Sequence, residues 1–136
     1  MNHAAVASPV VQAAARGRHW REIFVAAPVG ERLLEGYIDL LHHRDDGLVV
    51  IDYKTDAWDD DRELDVKVAR YRLQAAAYAT ALEASTALPV VEAVLLFLDD
   101  DQAIARQVPD LAEAMAQVRE LVPEVLAGGE ASNADI

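Results

Sequence analysis

Two periods of apolar and polar positions organise the chain. From Arg32 to Leu41 and again from Leu48 to Lys54, apolar residues dominate runs of strand length, with His42-His43-Arg44-Asp45-Asp46-Gly47 between them. An Asp-Gly pair between two such runs is a strong hairpin signal. Ahead of them, His19 to Ala26 reads as a first strand closed by Pro28 and Gly30, which makes an antiparallel meander of three. The period then changes. Leu64, Val68, Tyr71, Ala75, Tyr78 and Leu82 recur at steps of 3 and 4, the apolar stripe of a helix expected from about Asp61 to Ala84. Val90 to Leu98 is almost continuously apolar, as in a strand buried on both faces. The strand–helix–strand unit from Leu48 to Leu98 is therefore expected to be a right-handed parallel crossover.

The ends are weaker in pattern. Ser8-Pro9 opens a short helix that stops near Gly17, with Ser as N-cap and Pro at the first helical position. Ala103 to Val108 reads as a weak strand. Pro109-Asp110 leads into a last helix from Leu111 to about Ala127, with Leu111, Met115, Val118 and Val122 inward and Gly128-Gly129 as its stop. Residues 1–7 and 129–136 are expected to be tails on a single α/β domain of residues 8–128. At 136 residues the chain fits one domain, large enough to bury a core without staples.

Each strand of the central hairpin carries an acid where the pattern calls for core. These are Asp39 in Glu35-Gly36-Tyr37-Ile38-Asp39-Leu40-Leu41 and Asp52 in Leu48-Val49-Val50-Ile51-Asp52-Tyr53-Lys54-Thr55. Asp is depleted from strands, so its position needs a reason. If the two-residue turn is Asp45-Asp46, Asp39 faces Asp52; if it is Asp46-Gly47, Asp39 faces Lys54 and Leu41 faces Asp52. Side chains alternate along a strand and opposed residues share a face. Both registers thus gather Asp39, Asp52 and Lys54 on one side, and only a three-residue loop would separate them. Two carboxylates with an ammonium beside them suit a hard cation.

In this order, Gly-Tyr-Ile-Asp followed by Asp-Tyr-Lys-Thr resembles the second and third motifs of the PD-(D/E)xK nucleases. The RecB-like branch, the nuclease domain of bacterial helicase–nucleases such as AddA, is the most similar. Tyr71-Arg72-Leu73-Gln74-Ala75-Ala76-Ala77-Tyr78 resembles that branch's Q-x-x-x-Y helix, and Arg21-Glu22-Ile23-Phe24 its Arg-Glu-x-Phe strand. The resemblance covers roughly residues 19 to 98 and implies a restriction-endonuclease-like core. It further implies a Mg²⁺- or Mn²⁺-dependent deoxyribonuclease, the exonuclease module of an ATP-dependent helicase–nuclease in DNA repair and recombination. Asp39, Asp52 and the backbone carbonyl of Tyr53 would be metal ligands. Lys54 would orient or help deprotonate the attacking water, and Gln74 and Tyr78 would position the DNA backbone. Glu22 is read first as a solvent-facing or Arg-paired strand acid and only second as a supporting acid near the metal. The same branch carries an upstream helix with a metal-binding histidine, and Ser8 to Gly17 has neither histidine nor acid. A fragment of a longer protein and a reduced relative are both open.

Composition narrows the function classes. With no cysteine, a disulfide, a thiolate zinc site and an iron–sulfur cluster are excluded. No glycine-rich phosphate loop is present, so no ATP site is expected. No apolar run reaches membrane-span length and no signal peptide opens the sequence, so a cytoplasmic location is expected. His42 and His43 sit at a strand end and are expected to face solvent; no histidine lies at ligand spacing. Charge complicates the picture. Twelve Lys and Arg against twenty-four Asp and Glu give a net charge of −12, which repels a phosphate polymer. A fused or partner helicase is expected to deliver the DNA, and the isolated domain to bind duplex weakly. The acids from Asp56 to Asp61, with no basic counterpart nearby in sequence, read as a solvated helix start. Two alternatives stand against the enzyme. Asp39, Asp52 and Lys54 could form a salt-bridged patch on an exposed sheet, or the fold could serve as a silent docking module.

Overall fold

The strands form one mixed sheet. The computed structural model describes residues 3–29 and 31–121, with β1 at Arg18–Val29, β2 at Arg32–Arg44, β3 at Gly47–Lys54, β4 at Val90–Leu98 and β5 at Ala103–Gln107. They lie side by side in chain order. β1, β2 and β3 are the antiparallel meander, β3 and β4 run parallel, and β5 returns antiparallel on the far edge. The crossover between the parallel strands is α3, Asp61–Thr86. Before the sheet come α1 (His3–Ala7) and α2 (Pro9–Arg16), and after it α4 (Leu111–Leu121).

Two cores sandwich the sheet. On one face α3 and α4 pack over Leu41, Leu48, Val50, Leu95 and Phe97. On the other, α1 and α2 place Ala5, Val11 and Ala14 over Leu40, Val49, Ile51, Val94 and Leu96. β4 is buried on both faces from Ala93 to Leu98, which is why its sequence does not alternate. The stripe of α3 is buried at Leu64, Val68, Ala75, Tyr78 and Leu82, but so is every residue from Ala75 to Thr80. The run of alanines there lets the sheet approach one side of the helix and α4 the other.

The start of α3 uses its acids locally. Asp60 caps it by accepting from the Glu63 amide at 2.9 Å, and the Glu63 carboxylate accepts from the Asp59 amide at 3.3 Å, a capping box built on Asp. The acids do have basic partners, contrary to the sequence expectation: Lys67 lies 3.6 Å from Asp56 and Arg106 lies 3.2 Å from Asp61. Lys67 is one helical stretch away and Arg106 arrives from β5, so linear proximity missed both.

Two further expectations are corrected. Residues 1–7 are not all tail, because residues 3–7 form α1 and Ala5 is 0% exposed, packed with Val11 and Ala14 of α2. His42 does not face solvent. It pairs with Val49 on the α2 face and is buried, with Gly17 so close that a Cβ there would stand 3.0 Å from the ring Nε2. Burial first, then Arg44, His19 and His43, hold its pKa below the usual histidine value. The expected end of α4 and the tail at 129–136 fall outside the described residues. Among the described residues no helix is long and apolar enough to cross a membrane.

The hairpin end depends on one glycine. Gly47 has φ +146, and a Cβ there would lie 2.5 Å from the Pro89 carbonyl oxygen, which accepts from the Leu48 amide at 2.8 Å. Gly47→Ala should therefore cost on the order of 1–3 kcal/mol, read as a lower urea midpoint at unchanged slope. An unshifted midpoint would refute this account of the hairpin.

Candidate active site

The acid pair arises where the sheet's regularity fails. β2 pairs with β3 from Arg44–Gly47 to Leu40–Ile51, so the turn is Asp45-Asp46 and the next step sets Asp39 against Asp52. On the other side, β1 and β2 pair at Arg21–Leu40 and at Ile23–Ile38 but skip Glu22 and Asp39. Glu22 has φ +54, left-handed backbone that costs a non-glycine residue about 1–2 kcal/mol. Alternation shifts by one across this break: Leu41 and Ile38 both join the α3 core, while Leu40 joins the α2 core. Beyond Ile51, the Tyr53 amide donates not to a β2 carbonyl but to the Asp39 carboxylate, at 2.7 Å. The side chain takes the place of the ladder.

The residues that alternation gathered are together. Asp52 lies beside Asp39 and is hydrogen-bonded to it. The Lys54 Nζ stands 2.9 Å from Asp52 Oδ2 and donates to Gln74 Oε1 at 3.3 Å. Asp52 and Lys54 side chains are only 18% and 14% exposed. This rules out an exposed surface patch. Ile51 and Tyr53 turn to the opposite side, Ile51 fully buried and Tyr53 partly so against the α2 core. The acid face is itself helix-packed, by α3. Tyr78 is buried, and a Cβ on Gly36 would approach its hydroxyl to 3.0 Å, so the glycine of Gly-Tyr-Ile-Asp makes room for it. Burial and Asp52 raise the Tyr78 pKa while a hydrogen bond with Gln74 opposes them. Gln74 therefore links Lys54 to Tyr78. Glu22 has an exposed side chain outside this cluster.

One contributor escaped the sequence reading. Tyr71, read there as a core residue of the stripe, is half-buried and lays its ring 3.9 Å from the Lys54 Nζ. Its hydroxyl donates to Asp56 at 2.7 Å, which raises the Tyr71 pKa and lowers that of Asp56. Tyr71 and Gln74 are three apart on one helix face, and that spacing was the available signal.

The charge balance fits a dication. Burial first, then the hydrogen bond with Asp39, pushes the Asp52 carboxyl up to about 6, with Lys54 opposing. A proton now relieves an excess of negative charge that a divalent cation would relieve at neutral pH. Among the described residues no group of three or more His, Cys, Asp or Glu could hold a metal. Two carboxylates, one backbone carbonyl and retained waters match Mg²⁺ or Mn²⁺ better than a metal needing an all-protein cage. A strand residue turns its amide and carbonyl to the same neighbour, so the Tyr53 carbonyl points towards the Asp39 side.

A five-stranded mixed sheet flanked by helices, with Asp, Asp-x-Lys and a helical Gln on one face, defines a nuclease class. The family model described as the PD-(D/E)XK nuclease superfamily matches residues 3–136, and the chain belongs to that superfamily. It is similar to a subunit of the ATP-dependent helicase/nuclease of Bacillus cereus (strain ZK / E33L), 36% identical over 78 residues, 53% of this chain and 6% of that protein. The protein of the same name from Alkaliphilus oremlandii (strain OhILAs) is 42% identical over 72 residues, again 53% of this chain and 6% of its own length. The chain thus spans a small part of the curated relatives it matches. Among solved structures, the crystal structure of SSO0001 aligns with a TM-score of 0.44 and 15% identity, over 77% of this chain and 50% of that one.

The raised Asp52 pKa makes a stability statement with a sign. Between 3.8 and about 6 the folded chain holds a proton that the unfolded chain has released, so stability is greatest at the acid end and falls as pH rises through about 6. Asp52→Asn removes that titration. Metal-free parent should lose on the order of 2 kcal/mol relative to the variant between about pH 4 and pH 7, measured by urea unfolding at each pH. Parallel curves would contradict the Asp52 environment described above.

Proposed function

We propose that the chain is a metal-dependent deoxyribonuclease module that works with a helicase, fused or associated. The observation that carries this reading is the buried convergence of Asp39, Asp52 and Lys54 on the α3 face, in a chain of the PD-(D/E)XK superfamily. The relatives whose names join helicase to nuclease support the link to a motor. The net charge of −12 supports delivery of DNA rather than unaided capture of duplex.

Asp39, Asp52 and the Tyr53 carbonyl would hold Mg²⁺ or Mn²⁺, and the bound cation would supply an activated water and charge neutralisation on the phosphate. Every other task falls to side chains. Asp39 is fixed by the Tyr53 amide, so one of its oxygens stays aimed at the site. Lys54 now directs its donors to Asp52 and Gln74. With Asp52 serving as a ligand, the Lys54 ammonium would be free to orient the attacking water and to offset charge on the phosphate. Tyr71 and Gln74 keep the Lys54 Nζ within that small volume, and Gln74, held in place by the buried Tyr78, would position the strand. Glu22 shapes the kink that presents Asp39 and takes no direct part.

Removing one charge at a time tests the roles. Lys54→Ala should retain Mn²⁺ affinity within a few-fold, since an ammonium is no ligand, yet lower cleavage by at least about 10²-fold. Asp52→Ala should lose both. The readouts are calorimetric Mn²⁺ binding and degradation of single-stranded and duplex DNA with Mg²⁺ or Mn²⁺. Undiminished cleavage by Lys54→Ala would remove the central residue of this reading. Metal binding without any cleavage by the parent, even with a helicase partner, would favour a silent docking module.

A further inference from the structure

The basic residues are not spread evenly over this acidic chain. Residues 16–21 read Arg-Gly-Arg-His-Trp-Arg and residues 42–44 His-His-Arg, with no acid in either segment. The β1–β2 register brings the two together, Arg18 opposite His43 and His19 opposite His42. Three of the twelve Lys and Arg residues, Arg18, Arg21 and Arg44, thus lie at one end of the edge strand β1 and its neighbour, with Arg16 at the close of α2 just before them, against a net charge of −12. Arg44 is already committed to Asp46 and Glu92. Among the described residues no acid engages Arg18; its guanidinium stands 5.7 Å from the Trp20 ring centroid.

Trp20 is 41% exposed, an unusual place for so large an apolar ring. It stacks on His43 with centroids 6.4 Å apart and planes at 29°. The indole therefore touches the Arg18 guanidinium and the His43 ring and keeps an exposed margin. Beside it opens a groove of about 360 Å³, walled by Trp20, Leu41, Leu48, Leu82 and Leu88. The two hydroxyls on its rim are engaged: Ser85 donates to the Ala81 carbonyl and Thr86 to the Leu82 carbonyl. A ligand here would meet aromatic and aliphatic surface with little hydrogen-bond readout. Trp20 pairs with Leu41, two residues from Asp39, which is about 7 Å along the strand.

From these features, and resting on the proposed nuclease reading, we infer that Trp20 and Arg18 form a docking platform for single-stranded nucleic acid beside the metal site. An unpaired base stacks on the indole and leans into the apolar groove, and Arg18, on the same face of β1 as Trp20, takes the backbone phosphates. Stacking on an aromatic ring is indifferent to base identity, which agrees with a groove lacking directed polar groups. Duplex is excluded because its bases are already stacked on each other. The platform also answers the charge balance: the overall surface repels duplex, while one basic margin with an aromatic ring admits a loose strand.

The test is binding without cleavage, so that it stands apart from the metal site. The full chain is titrated with a short oligo(dT) in EDTA at low salt, following Trp20 fluorescence in a Trp58→Phe background. Quenching is expected. Followed by anisotropy of a labelled oligo(dT), Trp20→Ala should weaken binding about 10-fold and Trp20→Phe should restore most of it. Arg18→Glu should lower the salt slope by about 1 or more. If Trp58→Phe fails to fold, anisotropy of a labelled oligo(dT) on the Trp20 variants gives the same answer. Equal affinity for an abasic strand of the same length, equal quenching by polyglutamate, or no effect of Trp20→Ala would each overturn the inference. Loss of binding with metal-dependent cleavage intact would leave the nuclease reading standing alone, and binding without cleavage would do the reverse.

Discussion

The hydrogen bond from the Tyr53 amide to the Asp39 carboxylate, at 2.7 Å, is the joint on which the site turns. A strand amide inside a sheet must be satisfied, and here β2 supplies a side chain where its own backbone has left the ladder. That substitution fixes Asp39 beside Asp52, while Ile51 and the Tyr53 ring turn to the other core. The kink at Glu22 is the other half of the device, because it shifts the alternation of β1 and β2 just where Asp39 stands. Strained backbone beside a cluster of charges is where function concentrates.

Around that joint the electrostatics are left unresolved. Burial and its neighbour raise the Asp52 pKa to about 6, and Lys54 meets only part of the negative charge. The ammonium is held on three sides, by a carboxylate, an amide oxygen and an aromatic face. A buried ion pair of this kind contributes little to stability by itself, and its retention makes sense when a dication is to enter. α3 enforces the arrangement: its alanine run from Ala75 to Ala77 lets the helix press close to the sheet and bring Gln74 and Tyr78 onto the acids.

Much of this was legible in the sequence for one reason: strands alternate and helices repeat, so Asp39, Asp52, Lys54, Gln74 and Tyr78 could be placed by counting. Two adjacent acids in apolar strands have few explanations, and both hairpin registers kept them on one face. What counting missed was tertiary. His42 is buried only because the end of α2 lies against it, and Ala5 because α1 packs with α2 over the sheet. Tyr71 looked like core because its stripe is core, yet its half-buried position at the sheet's end turns the ring onto Lys54. The break at Glu22 carries no sequence signal, since nothing marks a glutamate for left-handed backbone.

The central claim is that Asp39 and Asp52 share one hard cation while Lys54 stands off it. Anomalous diffraction from crystals soaked in Mn²⁺ measures this directly. A single anomalous peak should lie between the two carboxylates, within about 2.0–2.3 Å of oxygen from each and from the Tyr53 carbonyl, with the Lys54 Nζ moved off Asp52. No peak at saturating Mn²⁺, or a peak elsewhere with Lys54 still bridged to Asp52, would contradict it.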